Sequence, residues 1–122
     1  MATKTPVLLV DDDADMREAI RMTLEDEGYE TAEATDGQDA LDYLETHPLP
    51  PLILLDWNMA PMNGPQFMAE VSKRPNLTGV PVIVLTADAR APEKVKAGRY
   101  AGCLTKPFRL DALFEILRRF CG

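Results

Sequence analysis

Unbroken apolar runs recur at Val7–Val10, residues 52–55 and residues 80–85, each short and each bounded by turn-forming or charged residues. Runs of this length without alternation predict strands covered on both faces. Residues 29–34 alternate apolar with polar positions, the pattern of a strand nearer a sheet edge. A fifth candidate, Gly102–Thr105, stands just before Lys106-Pro107. Between these runs the period lengthens to that of a helix. Residues 14–27 set Met16, Ala19, Ile20, Thr23 and Leu24 on one face, and Gly28 follows as a stop. Residues 36–46 repeat the pattern with Ala40, Leu41 and Leu44. Asn63 is a fitting N-cap, with Pro65 in the first turn and Phe67, Met68 and Val71 behind it. Leu110, Leu113, Phe114, Leu117 and Phe120 make an apolar stripe over residues 109–121. Residues 88–101, with Pro92, Gly98 and few apolar positions, leave room only for a short or irregular helix. Five strands alternating with helices predict βαβ units with right-handed crossovers: an α/β fold, doubly wound about a five-stranded parallel sheet with helices on both faces.

A chain of 122 residues without repeat, low-complexity tract or linker reads as one domain over residues 1–122. No apolar stretch approaches the roughly 18 residues that span a bilayer, and the N-terminus lacks a signal peptide's apolar core. A cytoplasmic protein without membrane insertion is expected. The net charge of −7 divides unevenly: residues 1–60 carry 3 Lys/Arg against 15 Asp/Glu, and residues 61–122 carry 10 against 5. An acidic chain argues against direct nucleic-acid binding, while the basic second half could serve a protein partner. Cys103 and Cys121 are too few for a disulfide framework, and with His47 they make no zinc pattern. Two buried or half-buried thiols and a surface imidazole are expected.

The chemistry lies where the strands end. Asp11 and Asp12 follow the first apolar run, Asp56 the third, Thr86 the fourth and Lys106 the fifth. In open parallel sheets, ligands bind at the carboxyl ends of the strands. Clustered carboxylates repel one another unless a hard cation joins them, which points to Mg²⁺ (or Mn²⁺). A carboxylate is a poor nucleophile towards a phosphoryl group because both are negative. A divalent cation, the Lys106 ammonium and the Thr86 hydroxyl would together offset that charge and hold the phosphoryl oxygens. Asp13 and Asp15 are read as residues of the first helix start.

These residues carry a family resemblance. V-L-L-V-D-D-D, L-I-L-L-D-W-N-M-A-P-M-N-G, V-I-V-L-T-A and L-T-K-P-F resemble the signature blocks of two-component response-regulator receiver domains, over essentially the whole chain. The resemblance implies a flavodoxin-like strand order of 2-1-3-4-5. It implies that Asp56 is the phosphoacceptor, that Asp11 and Asp12 hold Mg²⁺ with the Asn58 backbone carbonyl, and that Lys106 binds a phosphoryl oxygen beside a cis Lys106-Pro107 bond. Thr86 becomes the hydroxyl that moves towards the phosphoryl group, and Asn58 and Asp88 the residues that tune self-dephosphorylation. The donor would be a sensor histidine kinase or phosphotransfer protein. Beyond self-phosphorylation and self-dephosphorylation, no enzymatic activity is implied. The downstream partner would be a protein, met through the face of the fourth helix, fifth strand and fifth helix. The chain ends just after that expected fifth helix, so within these residues output falls to a partner, unless the chain is a fragment of a longer protein.

Three departures bear on signalling. The loop after the phosphoacceptor reads Met59-Ala60-Pro61-Met62-Asn63-Gly64, with proline displaced and asparagine in place of aspartate. Cys103 stands where the family often carries an aromatic ring that accompanies the hydroxyl's movement. Tyr100 could replace it sterically or simply pack, and packing is the favoured reading. Residues 88–92 are short on helix-forming apolar residues, and Lys94, Lys96, Arg99, Arg118 and Arg119 would make the neighbouring face basic. Rival classes fit less well. A haloacid-dehalogenase-type phosphatase would use the D-x-D of the acidic triplet but leave Asp56 idle. A calcium loop from Asp11 fails at Met16 and Met22, where glycine and glutamate are needed. A flavin site lacks a phosphate loop after the first strand. The remaining alternative is a binding module of this fold that works without phosphorylation.

Overall fold

Continuous β-branched and leucine-rich runs bury both strand faces, and the intervening amphipathic helices supply the cover on either side. The computed structural model describes residues 5–57, 64–87, 100–105 and 109–121. In chain order they form β1 (Val7–Val10), α1 (Ala14–Asp26), β2 (Thr31–Ala34), α2 (Gly37–Thr46), β3 (Ile53–Asp56), α3 (Gly64–Ser72), β4 (Val82–Thr86), β5 (Gly102–Thr105) and α4 (Leu110–Cys121). Thus α4 is the helix expected fifth. Most of the segment expected to carry a short helix before β5, residues 88–99, lies outside the described residues, as does the Asn63 cap.

All neighbouring strands are parallel and stand in the order β2-β1-β3-β4-β5. The order reverses direction between β1 and β3, so the carboxyl ends of these two strands flank the crevice where doubly wound sheets bind ligands. Strand alternation sorts the core into two layers. Leu8, Val10, Ile53, Leu55 and Val82 pack with Leu41 and Leu44 of α2 and with Phe67 and Val71 of α3. Val7, Leu9, Leu54, Ile83 and Leu85 pack with Ile20 and Leu24 of α1 and with Leu113 and Leu117 of α4. Helices therefore cover both faces, and the sheet is the shared wall of both layers.

The strand bounds differ from the expected ones in an instructive way. β3 runs on into Asp56 and β4 into Thr86, because Asp56 pairs with Leu85 and Thr86 with Thr105. The ladder bonds backbone groups and is indifferent to side-chain polarity, whereas the apolar pattern stops at the last leucine. β2 is shorter than residues 29–34: Gly28 turns the chain at φ 87°, and pairing with β1 begins only at Thr31. Ala19, expected on the covered face of α1, is exposed; the buried line runs through Ile20 and Leu24, with Met16 packed against it.

Aspartates start the first two helices. Asp13 accepts from the Asp15 and Met16 amides at 3.0 and 3.3 Å. Asp36 accepts from the Asp39 amide at 2.8 Å, and the Asp39 carboxylate reaches back to the Thr35 amide at 3.0 Å, a near relative of the capping box. His47 is exposed at the end of α2, stacked on Tyr43 at 4.2 Å between centroids. Its Nδ1 lies 3.1 Å from the Tyr43 carbonyl and 2.9 Å from the Thr46 hydroxyl. The expected surface imidazole thus finishes a helix. Among the described residues no helix is long and apolar enough to cross a membrane.

Candidate metal and phosphoryl site

Among the described residues, three polar side chains are buried at the carboxyl edge of the sheet: Asp11 after β1, Asp56 ending β3 and Thr86 ending β4. Asp12 lies exposed beside them. One carboxylate oxygen from each of Asp11, Asp12 and Asp56 falls within 4.8 Å of the other two. The turn after β1 that creates this meeting is held from several sides. The Asp11 amide donates to the Ala34 carbonyl at 3.1 Å, and the Asp11 carboxylate accepts from the Asp13 amide at 2.9 Å. Arg17, from the first turns of α1, donates through Nη1 to the Asp11 carbonyl at 2.8 Å and through Nε to Glu33 at 3.1 Å. On the other strand, the Trp57 amide donates to the Leu85 carbonyl at 3.0 Å, which fixes the chain on the far side of Asp56.

The aspartate triplet thereby divides its work. Asp11 and Asp12 turn to the site, while Asp13 is committed to the helix cap and stays out of the cluster. Three convergent carboxylates, two of them buried, carry a repulsion that an oxygen-seeking divalent cation relieves. Mg²⁺ binds oxygens at about 2.0–2.1 Å, retains several waters and uses one or two carboxylates directly, so this donor set and spread suit it, with part of the shell supplied through water. Thr86 continues the register one step beyond the Asp56–Leu85 pair, which sets it laterally beside Trp57.

Of the residues expected at the site, the structure brings together Asp11, Asp12 and Asp56, with Thr86 on the adjoining strand end. Asn58, Asp88, Lys106 and Pro107 lie outside the described residues, as do Lys94, Lys96 and Arg99. Cys103 and Cys121 are half-buried, as expected of plain thiols. Cys103 pairs with Val84 in the sheet, and burial pushes its thiol above the ordinary range. Tyr100 packs against the α2–α3 layer, in keeping with a packing role, and its hydroxyl is likewise raised by burial.

Two features escaped the sequence reading. Arg17 braces the turn after β1, and nothing in a pattern of apolar positions distinguishes it from Arg21 one turn on. Trp57 and Tyr100 meet in a tilted ring contact, 5.7 Å between centroids at 59°. Alternation beyond Leu55 would have assigned Trp57 to the α2–α3 face, but the Tyr100 contact is non-local.

Against known proteins, the sequence matches the family described as Response regulator receiver domain over residues 7–118. It is 35% identical over 122 residues to Response regulator Rre1 of Synechocystis, covering 97% of this chain and 52% of that protein. It is also 35% identical over 105 residues to the phosphate regulon transcriptional regulatory protein PhoB of Escherichia coli, covering 84% of this chain and 45% of that one. The chain thus spans about half the length of these two relatives. Among solved structures, it resembles the chemotaxis protein CheY4 of Vibrio cholerae, with TM-score 0.85, 32% identity, and 97% and 99% of the two chains covered. It also resembles the receiver domain of the sensor histidine kinase PA1611 of Pseudomonas aeruginosa, solved with a magnesium ion coordinated in its active-site cleft, with TM-score 0.86, 29% identity, and 98% and 99% covered.

Proposed function

Since the chain belongs to the response regulator receiver domains of two-component signalling, we propose that Asp56 is its phosphoacceptor and that residues 1–122 form a single receiver domain. Receiver domains are acceptors of phosphoryl groups, and they meet histidine kinases or phosphotransfer proteins. The observation that carries the assignment is the convergence of Asp11, Asp12 and Asp56 within 4.8 Å at the β1/β3 crevice. An adapter working without phosphorylation would have no need of that convergence.

Asp11 and Asp12 would hold Mg²⁺ together with Asp56 and the Asn58 carbonyl; the magnesium in the PA1611 receiver domain supports the choice of ion. When bound, the ion supplies charge neutralisation at the carboxylate and at the incoming phosphoryl oxygens. In the transfer, an Asp56 carboxylate oxygen bonds to phosphorus as the P–N bond of a donor phosphohistidine breaks. The electron pair of that bond leaves with the imidazole. The Lys106 ammonium would neutralise one phosphoryl oxygen and the Thr86 hydroxyl would donate to another. Asn58 and Asp88 would flank the water that later hydrolyses the acyl phosphate. Release of signal would follow from the two-state bias of Thr86, Lys106 and the face of α4, β5 and the segment before β5, presented to a downstream protein in the cytoplasm.

Incubating the protein with a small phosphodonor and Mg²⁺ and recording intact mass tests the reading. One added phosphoryl group is expected in the wild type, with none in Asp56→Ala or after chelation of the metal. An adduct that survives Asp56→Ala would refute the assignment.

A further inference from the structure

Resting on the assignment of Asp56 as acceptor, we infer that Tyr100 is a positioning residue that senses the phosphoryl group through Trp57. Trp57 is the residue after Asp56, and its amide bond to the Leu85 carbonyl holds it in the ladder. The same register sets it beside Thr86, whose side chain is buried. A phosphoryl group adds volume and charge at Asp56, in contact range of that row. In an interior packed at crystal density, a displacement of Thr86 or Asp56 is passed on by whichever bulky group lies against it. Trp57 adjoins Asp56 in the chain and Thr86 in the register, and its indole touches the ring of Tyr100.

Tyr100 is placed to respond. Its ring borders a cavity of about 270 Å³ whose described walls include Met68, Val71 and Val80. It packs against the α2–α3 layer without being sealed in it. A ring with a neighbour on one side and open apolar space on the other has a second position available. Among the described residues, β5 sets the small thiol of Cys103 beside Val84, and the ring contact on this face is that of Trp57 with Tyr100. Just beyond Tyr100, the Ala101 amide donates to the Val82 carbonyl at 2.8 Å, which anchors the start of β5.

The chain has three tyrosines and one tryptophan, which makes the test specific. With fluorotyrosine incorporated, fluorine NMR resolves Tyr29, Tyr43 and Tyr100, the last assigned by Tyr100→Phe. Adding beryllofluoride with Mg²⁺, as a phosphoryl mimic, is expected to shift the Tyr100 resonance and leave the other two in place. Trp57→Phe should keep the shift, and Trp57→Leu should lose it while still binding the mimic. A stationary Tyr100 resonance in a wild type that binds the mimic overturns the inference, as does an undiminished shift in Trp57→Leu. A second variant guards against misfolding of the first: Tyr100→Leu should change the lifetime of the acyl phosphate by at least about twofold, and Tyr43→Leu should not. Equal lifetimes in wild type and Tyr100→Leu would count against the coupling. Failure of the wild type to bind the mimic or accept a phosphoryl group would instead overturn the proposed function, and this inference with it.

Discussion

Asp11, Asp12 and Asp13 are chemically identical and adjacent, yet backbone geometry gives each a different task. Asp11 is buried and accepts from the Asp13 amide, Asp12 is exposed at the cluster, and Asp13 caps α1. Two substitutions should therefore separate cleanly. Asp12→Asn is expected to weaken Mg²⁺ binding by at least about tenfold, read by calorimetric titration, with little change in stability. Asp13→Ala should cost about 1 kcal/mol in urea unfolding and leave Mg²⁺ binding nearly intact. The types and strand-end positions of these aspartates were legible from sequence, because a polar residue directly after an apolar run must fall at a strand end. The Arg17 brace and the Trp57–Tyr100 contact were not, since both depend on how distant segments pack. Cys103 provides a pH test. Burial raises its thiol, so the folded state keeps the proton to higher pH than the unfolded state does. Its contribution to stability is full below the ordinary thiol value and is lost as pH rises through the raised one. Alkylation of Cys103 in the native protein should show a pH midpoint above that of the denatured chain. A midpoint at or below the denatured value would contradict the burial.

At the scale of elements, helices were easier to read than strand limits. The α2 stripe of Ala40, Leu41 and Leu44 stands in the sequence and all three are buried, whereas Asp36, expected inside the helix, is its N-cap. Strand ends shifted because Asp56 and Thr86 join the ladder through their backbones, a contribution that hydrophobic spacing does not register. The Asp36 and Asp39 arrangement at the start of α2 gives a direct check on how helix ends are stabilised. Asp36→Ala is expected to lower the unfolding free energy by about 1 kcal/mol, whereas Asp42→Ala, exposed within the same helix, should change it by no more than about 0.5 kcal/mol. Equal effects would mean that the Asp36 bond contributes nothing beyond helix propensity.

For the molecule as a whole, one sheet is the common wall of two core layers, so its central residues serve both the fold and the site. Periodicity predicted five strands and helices on both faces; the order β2-β1-β3-β4-β5 followed only from the family resemblance, because strand order is decided by which helix covers which face. Leu54 is fully buried in β3, two residues before Asp56. Leu54→Ala should cost about 2–5 kcal/mol in denaturant unfolding. The site sits at the edge of this wall because parallel strands end together there, and the reversal of order at β1 and β3 leaves the crevice between Asp11 and Asp56. The central claim is that this crevice exists to put a phosphoryl group on one carboxylate. Its most direct test is to treat the protein with a small phosphodonor and Mg²⁺, reduce the acyl phosphate with borohydride, and sequence the peptides by mass spectrometry. Homoserine at position 56 is the predicted result; homoserine at another aspartate, or none at all in a protein that binds Mg²⁺, would contradict the account.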